Sequence, residues 1–273
     1  MIMNLLKNKQ ELRRYIYHRR PVLATHLVLT FLVIVALVRA IWLANYDHAV
    51  LCVAVLLMFL VPHFLRSRFR IRLPNTLEIV ILLFIFCSEI LGELQCYYLQ
   101  YPHWDTMLHT TWGFLCAAIG FVLIDILNQD SKIKFHLSPF FVAAAAFCFS
   151  MTVGVFWEFF EFAVDLLFHT DMQKDTVVQT IFSTMLDPTQ TNQPYAVQNI
   201  SQTVVNGREL ISGGYLDIGL FDTMEDLFVN FVGALVFSVF GYFYIKRRGK
   251  GRIAGAFIPT IEQHKKESRT TDF

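Results

Sequence analysis

Positive charge is nearly missing from the middle of this sequence. Between Leu73 and Ile245 only Lys132, Lys134, Lys174 and Arg208 are basic, against 17 acidic residues. Such a segment has no basic stripe for a phosphate backbone, so nucleic acid is not an expected partner. Charge of either sign is scarce: 16% of the chain is charged, where a soluble domain usually carries about a quarter. Cysteine is sparse too. Cys52, Cys87, Cys96, Cys116 and Cys148 show no CxxC spacing and all fall inside apolar runs. They read as core thiols, neither a disulfide frame nor a zinc site. The sequence also lacks a serine elbow, a Walker loop and an HExxH, which argues against nucleophilic or nucleotide chemistry.

What the chain has is apolar surface. Hydrophobic residues make up 55% of it, and mean hydropathy is +0.47. They are gathered in runs of roughly 18–30 residues, each long enough to cross a ~30 Å hydrocarbon layer at ~1.5 Å per residue. The expected fold class is all-α: a polytopic membrane helix bundle with six transmembrane helices. The spans read as Pro21–Leu43, Asp47–Phe64, Thr76–Leu99, Asp105–Leu127, Ser138–Phe168 and Phe221–Ile245.

Basic residues set the expected orientation. Arg13, Arg14, Arg19 and Arg20 precede the first span, and Arg66, Arg68, Arg70 and Arg72 fill the loop after the second. Lys132 and Lys134 separate the fourth and fifth. Lys246, Arg247, Arg248, Lys250 and Arg252 follow the sixth. All four segments fall on one side of a six-span chain, which makes that side cytoplasmic and places both termini there. The N-terminal apolar run exceeds a signal-peptide core and reads as a retained anchor. Residues 1–250 then form one transmembrane domain, with an outer loop over about 169–220 and a flexible cytoplasmic tail over 251–273. Within that loop, DTVVQTIFSTMLDP reads as a short interfacial helix and GRELISGGYLDIG as a hairpin or turn-rich lid.

The acids of the outer half are ordered by helix face. Glu89 and Glu93 are four residues apart on the third span. Asp105 opens the fourth, with His109 one turn further. VFWEFFEFAVDLLF on the fifth puts Glu158, Glu161 and Asp165 in one narrow stripe, and FDTMEDLFVN on the sixth steps from Asp222 to Asp226 to Asn230. Stripes facing lipid separately would cost several kcal/mol apiece. Turned inward they share one outward-facing pocket, with Glu93, Asp105, His109, Glu158, Glu161, Asp165, Asp222, Asp226 and Asn230 as its candidates. Asp105 and Asp222 equally suit helix N-caps.

So many carboxylates cannot all be charged together without relief. Protonation, pairing with Arg39, or a bound divalent cation would each supply it. Arg39 is the one basic side chain in the outer half of a span. In an enzymatic reading, Asp105, His109, Glu158 and Asp226 hold the cation or polarise substrate, and Glu161 is the general base. Glu161, His109 and Glu158 are then the catalytic candidates.

Three segments together resemble the YjdF-like family of bacterial inner-membrane proteins: Trp104-Asp105…His109, Trp157-Glu158…Glu161, and Asp222-Thr223…Asp226…Asn230…Gly233-Ala234. The resemblance covers roughly residues 76–245 and implies a bacterial envelope setting. There is a weaker likeness to VanZ-like membrane proteins, which are associated with glycopeptide tolerance. Their Glu-x-x-Gln stands here as Glu158-x-x-Glu161. The paired glutamates that open CAAX-type intramembrane proteases are absent.

These readings converge on a bacterial plasma-membrane protein that contacts membrane lipids. Its pocket would process a lipid-linked or envelope substrate with a divalent cation. A proton- or cation-coupled carrier and a non-catalytic envelope scaffold are the rivals. The inner halves of the spans offer a through-path only His26, His63 and Asp125.

Overall fold

The computed structural model describes residues 2–69, 71–129, 137–247, 256–258 and 260–261. Arg70, Lys132, Lys134, Arg248, Lys250, Arg252 and nearly all of the expected tail lie outside the described residues. The helices are α1 (Ile2–Trp42), α2 (Tyr46–Met58), α3 (Val61–Phe69), α4 (Asn75–Ile85), α5 (Tyr97–Gln100), α6 (Trp104–Gln129), α7 (Pro139–Phe168) and α8 (Leu220–Lys246).

Among the described residues, five helices are long and apolar enough to cross a membrane: Tyr17–Trp42, Tyr46–Arg68, Trp104–Ile124, Pro139–Phe168 and Leu220–Lys246. The expected span Thr76–Leu99 is built differently. Its α-helical part, α4, has 11 residues. A nine-residue π-helix, Phe86–Leu94, then replaces the α pattern. Left-handed Cys96, at φ 58°, ends the segment before α5. At ~1.5 Å per residue the α part alone is too short for a ~30 Å layer.

By internal packing the chain divides into two units. The larger comprises Met1–Met151 and Asn230–Phe273, and the smaller Thr152–Val229.

The larger unit has two buried clusters. One joins Leu29 and Val33 of α1, Cys52 and Val55 of α2, and Leu82, Phe86 and Ile90 of α4 and its π extension. The other joins Leu77, Ala117, Ala118, Phe121, Val142, Ala146, Ala234, Phe237 and Ile258. Small residues set the spacing of its helices, as expected where lipid gives helices no hydrophobic reason to associate. A Cβ on Gly113 would strike the backbone oxygen of Asn230, and one on Gly233 the backbone oxygen of Thr110. Gly113 lies at Asn230, while further along Phe121 stacks edge-on to Phe237 and its ring borders Gly241. α6 and α8 therefore run in the same direction. Met151 meets Asn230 while Phe147 meets Phe231, so α7 opposes α8. Two short strands, β1 (Ile71–Arg72) and β8 (Thr260–Ile261), pair antiparallel.

The smaller unit corrects one local reading within a mostly helical chain. The segment read as an interfacial helix forms β2 (Val177–Val178), β3 (Ile181–Ser183) and a 3₁₀ turn, Thr184–Leu186. Val177, Val178, Thr180, Ile181, Phe182 and Thr184 explain this, because β-branched and aromatic residues fit a pleated surface better than a short helix. β4 (Tyr195–Val197) pairs with β3, and β7 (Tyr215–Leu216) pairs with β2. β5 (Gln202–Val205) and β6 (Arg208–Ser212) form a hairpin. Its two-residue turn is Asn206-Gly207, at φ 54° and 77°. Positive φ at both positions defines the turn whose twist matches a hairpin.

Candidate functional site

The smaller unit contains three buried carboxylates in mutual reach. Glu158 and Glu161 stand three residues apart on α7, hence on one face, and Asp226 lies two turns into α8. They are 4%, 6% and 3% exposed. Each contributes one oxygen, and the three oxygens lie within 4.8 Å of one another. Trp157 Nε1 donates to Glu161 Oε1 at 2.8 Å.

The chain leaving α7 folds over this triad. Asp165 organises the turn: its carboxylate accepts from the Thr170 hydroxyl at 2.7 Å and from the backbone N–H of Met172 and Gln173 at 2.6 and 2.9 Å. That turn places the Gln173 side chain between the two helices. Its Nε2 donates to Thr223 Oγ1 at 2.7 Å and to Glu158 Oε2 at 3.4 Å. Gly219, at φ 77°, packs directly on Gln173, where a Cβ would lie 2.8 Å from the glutamine's own Cβ. Asp222 accepts from Lys174 N–H at 2.8 Å. The first-turn N–H of Phe221 goes instead to Asp217, at 2.8 Å. Asp217 also accepts from Thr176 N–H at 2.6 Å. Asp165, Asp217 and Asp222 therefore tie the loop to the helix ends.

The electrostatics of the loop follow from its surroundings. Burial, with Asp171, Asp217 and Asp165 nearby, raises the affinity of Asp175 for a proton above that of an ordinary aspartate. Asp187 is the opposite case. The Thr189 hydroxyl and the N–H groups of Thr189, Gln193 and Thr191 hold its pKa at about 2.

The larger unit holds the remaining candidates. Asp105 Oδ1 and His109 Nε2 are 3.5 Å apart on successive turns of α6. Asn230 is 1% exposed, and its Nδ2 lies 3.5 Å from Met151 Sδ. Glu93 and Arg39 are exposed, on the π-helix and on α1. An arginine does neutralise a buried acid in this unit. Arg19 grips Glu78 with two nitrogens on two oxygens, both at 2.7 Å.

Gln173, Thr223, Trp157 and Asp217 were not among the sequence candidates. Trp157 carried a usable signal, four residues before Glu161 on the same face. Gln173 carried none, since only the turn held by Asp165 brings it to the triad.

Long apolar helices, small residues at their crossings and broad exposed apolar faces define a multi-pass α-helical membrane protein. On α1 alone Leu27, Phe31, Val38 and Trp42 are 69%, 64%, 60% and 87% exposed. Faces of that kind are covered by lipid. Residues 24–247 match the family described as "Predicted membrane protein (DUF2238)". The chain belongs to that family, which is the YjdF family. No curated protein and no solved structure matches it.

Proposed function

We propose that the Glu158–Glu161–Asp226 triad is a cation-binding site at the outer end of a six-span bacterial inner-membrane protein, both termini being cytoplasmic. The observation that carries this reading is three buried carboxylates with oxygens within 4.8 Å. Like charges this close are costly in a low-dielectric setting. A divalent cation relieves them with the hard oxygen ligands it prefers. The triad fits such an ion by donor chemistry and spacing, and the Gln173 amide adds a polar group at its edge.

In this reading the cation supplies charge stabilisation to an anionic, lipid-linked or envelope substrate, and Glu161 serves as general base. Trp157 fixes one Glu161 oxygen, which holds the carboxylate in place. The loop held by Asp165, Asp217 and Asp222 covers the site. A cation-coupled carrier would use the same triad as its ion site.

Metal analysis of the purified protein, with Glu158→Gln, Glu161→Gln and Asp226→Asn beside it, tests the proposal. Wild type is expected to carry about one divalent cation per chain, as one triad would hold, and each variant substantially less. Equal metal content in all four proteins would discard the site. A cation-dependent change in envelope lipids on deletion separates the enzyme from the carrier.

A further inference from the structure

A polar cavity in the larger unit has a charge character opposite to that of the triad. Its volume is about 480 Å³, and its wall carries Arg19, Arg66, Arg72 and His63 together with Glu78. Three guanidinium groups face one carboxylate, and that carboxylate is already gripped by Arg19 through two 2.7 Å contacts. By formal charge the described lining is cationic.

The fold holds these groups in place. Arg19 is oriented by its two-point contact with Glu78, a fork that fixes the guanidinium plane. Arg72 sits in β1, in register with Thr260 of β8. Asn75, the first residue of α4, also lines the cavity and ties α4 to α1 by donating to His18 O at 2.7 Å. The N-cap of α4 is Pro74, which makes no side-chain cap to the first turn. The positive end of that helix thus borders the same space.

The cavity is also continuous with apolar surface. Leu23 lines it and is 44% exposed, and Leu27, one turn further along α1, is 69% exposed. A soluble anion would use only the cationic wall. A phospholipid would use both, with its phosphate among the arginines and a chain along Leu23 and Leu27. We propose that this cavity binds the headgroup of an anionic phospholipid from the leaflet at the N-terminal end of α4. This site is independent of the carboxylate triad.

The test is native mass spectrometry of the full chain in detergent, titrated with phosphatidylglycerol or phosphatidylcholine. One phosphatidylglycerol is expected to stay bound per chain, in preference to phosphatidylcholine. Arg66→Gln with Arg72→Gln should weaken retention about tenfold or more, since each near-surface basic group contributes appreciably to anionic-lipid attraction. Arg66→Lys with Arg72→Lys should restore most of it, which guards against a mere folding defect. Arg20→Gln removes an exposed arginine of α1 that does not line the cavity and should leave retention unchanged. Undiminished retention in the double glutamine variant would overturn the proposal. An equal loss in Arg20→Gln would do the same, by showing diffuse surface attraction. Displacement of the lipid by free glycerol phosphate would show a site for a soluble phosphate ester instead.

Discussion

Two buried acidic sites in this protein answer the same electrostatic problem differently. In the larger unit Glu78 meets Arg19 in a two-point ion pair, and the chain neutralises its own charge. In the smaller unit Glu158, Glu161 and Asp226 bring one carboxylate oxygen each within 4.8 Å of the others. The first arrangement is complete as built. In the second, the proposed function assigns the neutralising part to a bound cation. Sites of the second kind are expensive within a membrane, which is why they serve as pointers to function.

The comparison predicts stability changes of opposite sign. Glu78→Ala should give the largest effect. Removing one partner of a largely buried pair leaves the other charge without relief and costs about 3 kcal/mol or more. Arg19→Leu with Glu78→Leu should recover most of that loss, because both charges then vanish together. Thermal unfolding of the two variants in one detergent checks this, and equal destabilisation would break the contrast. At the triad the sign reverses. Without divalent cations, Glu161→Gln or Asp226→Asn should raise stability by ~1 kcal/mol by removing like-charge repulsion. Each variant should also lose any stabilisation that a cation gives the wild type.

Smaller effects fall on the loop. Gln173→Ala deletes the amide that joins Thr223 to Glu158 and should cost about 1 kcal/mol, as for one partly buried hydrogen bond. Faster proteolysis between Phe168 and Lys174 would report the loosened loop. The smallest effect concerns pH. The folded-state pKa of Asp187 is about 2, below the ordinary 3.8. Its contribution to loop order is therefore present above about 3.8 and is lost as pH falls toward about 2. Amide exchange of Thr189, Thr191 and Gln193 should accelerate over that window in wild type. In Asp187→Asn it should be insensitive to pH there beyond the intrinsic rate.

The same contrast shows what sequence reveals. Glu158 and Glu161 were legible because acids inside an apolar run, three apart, must share a helix face. Asp226 was legible one turn beyond Asp222 for the same reason. Their convergence depends on side chains from two helices, which periodicity can suggest only indirectly. The Arg19–Glu78 pair joins residues 59 apart in sequence, and nothing local in either helix names its partner. The π-helix Phe86–Leu94 has no signal of its own in a largely apolar run, which offers hydrophobic residues to either helix period. The strands at 177–183 were legible in principle. Val-Val and Ile-Phe lean toward strand, and the interfacial-helix reading set too little weight on β-branching. Asn206-Gly207 was the strongest turn signal in the loop, and it closes the hairpin there.

A divalent-cation titration of thermal stability addresses the triad most directly, with wild type compared to the Glu158→Gln, Glu161→Gln, Asp226→Asn triple variant. The account predicts a saturable rise in the wild-type Tm with at least one of Mg²⁺, Mn²⁺, Ca²⁺ or Zn²⁺, and a flat response in the triple variant. A wild-type Tm indifferent to all four ions, or a rise of equal size in the triple variant, would contradict it.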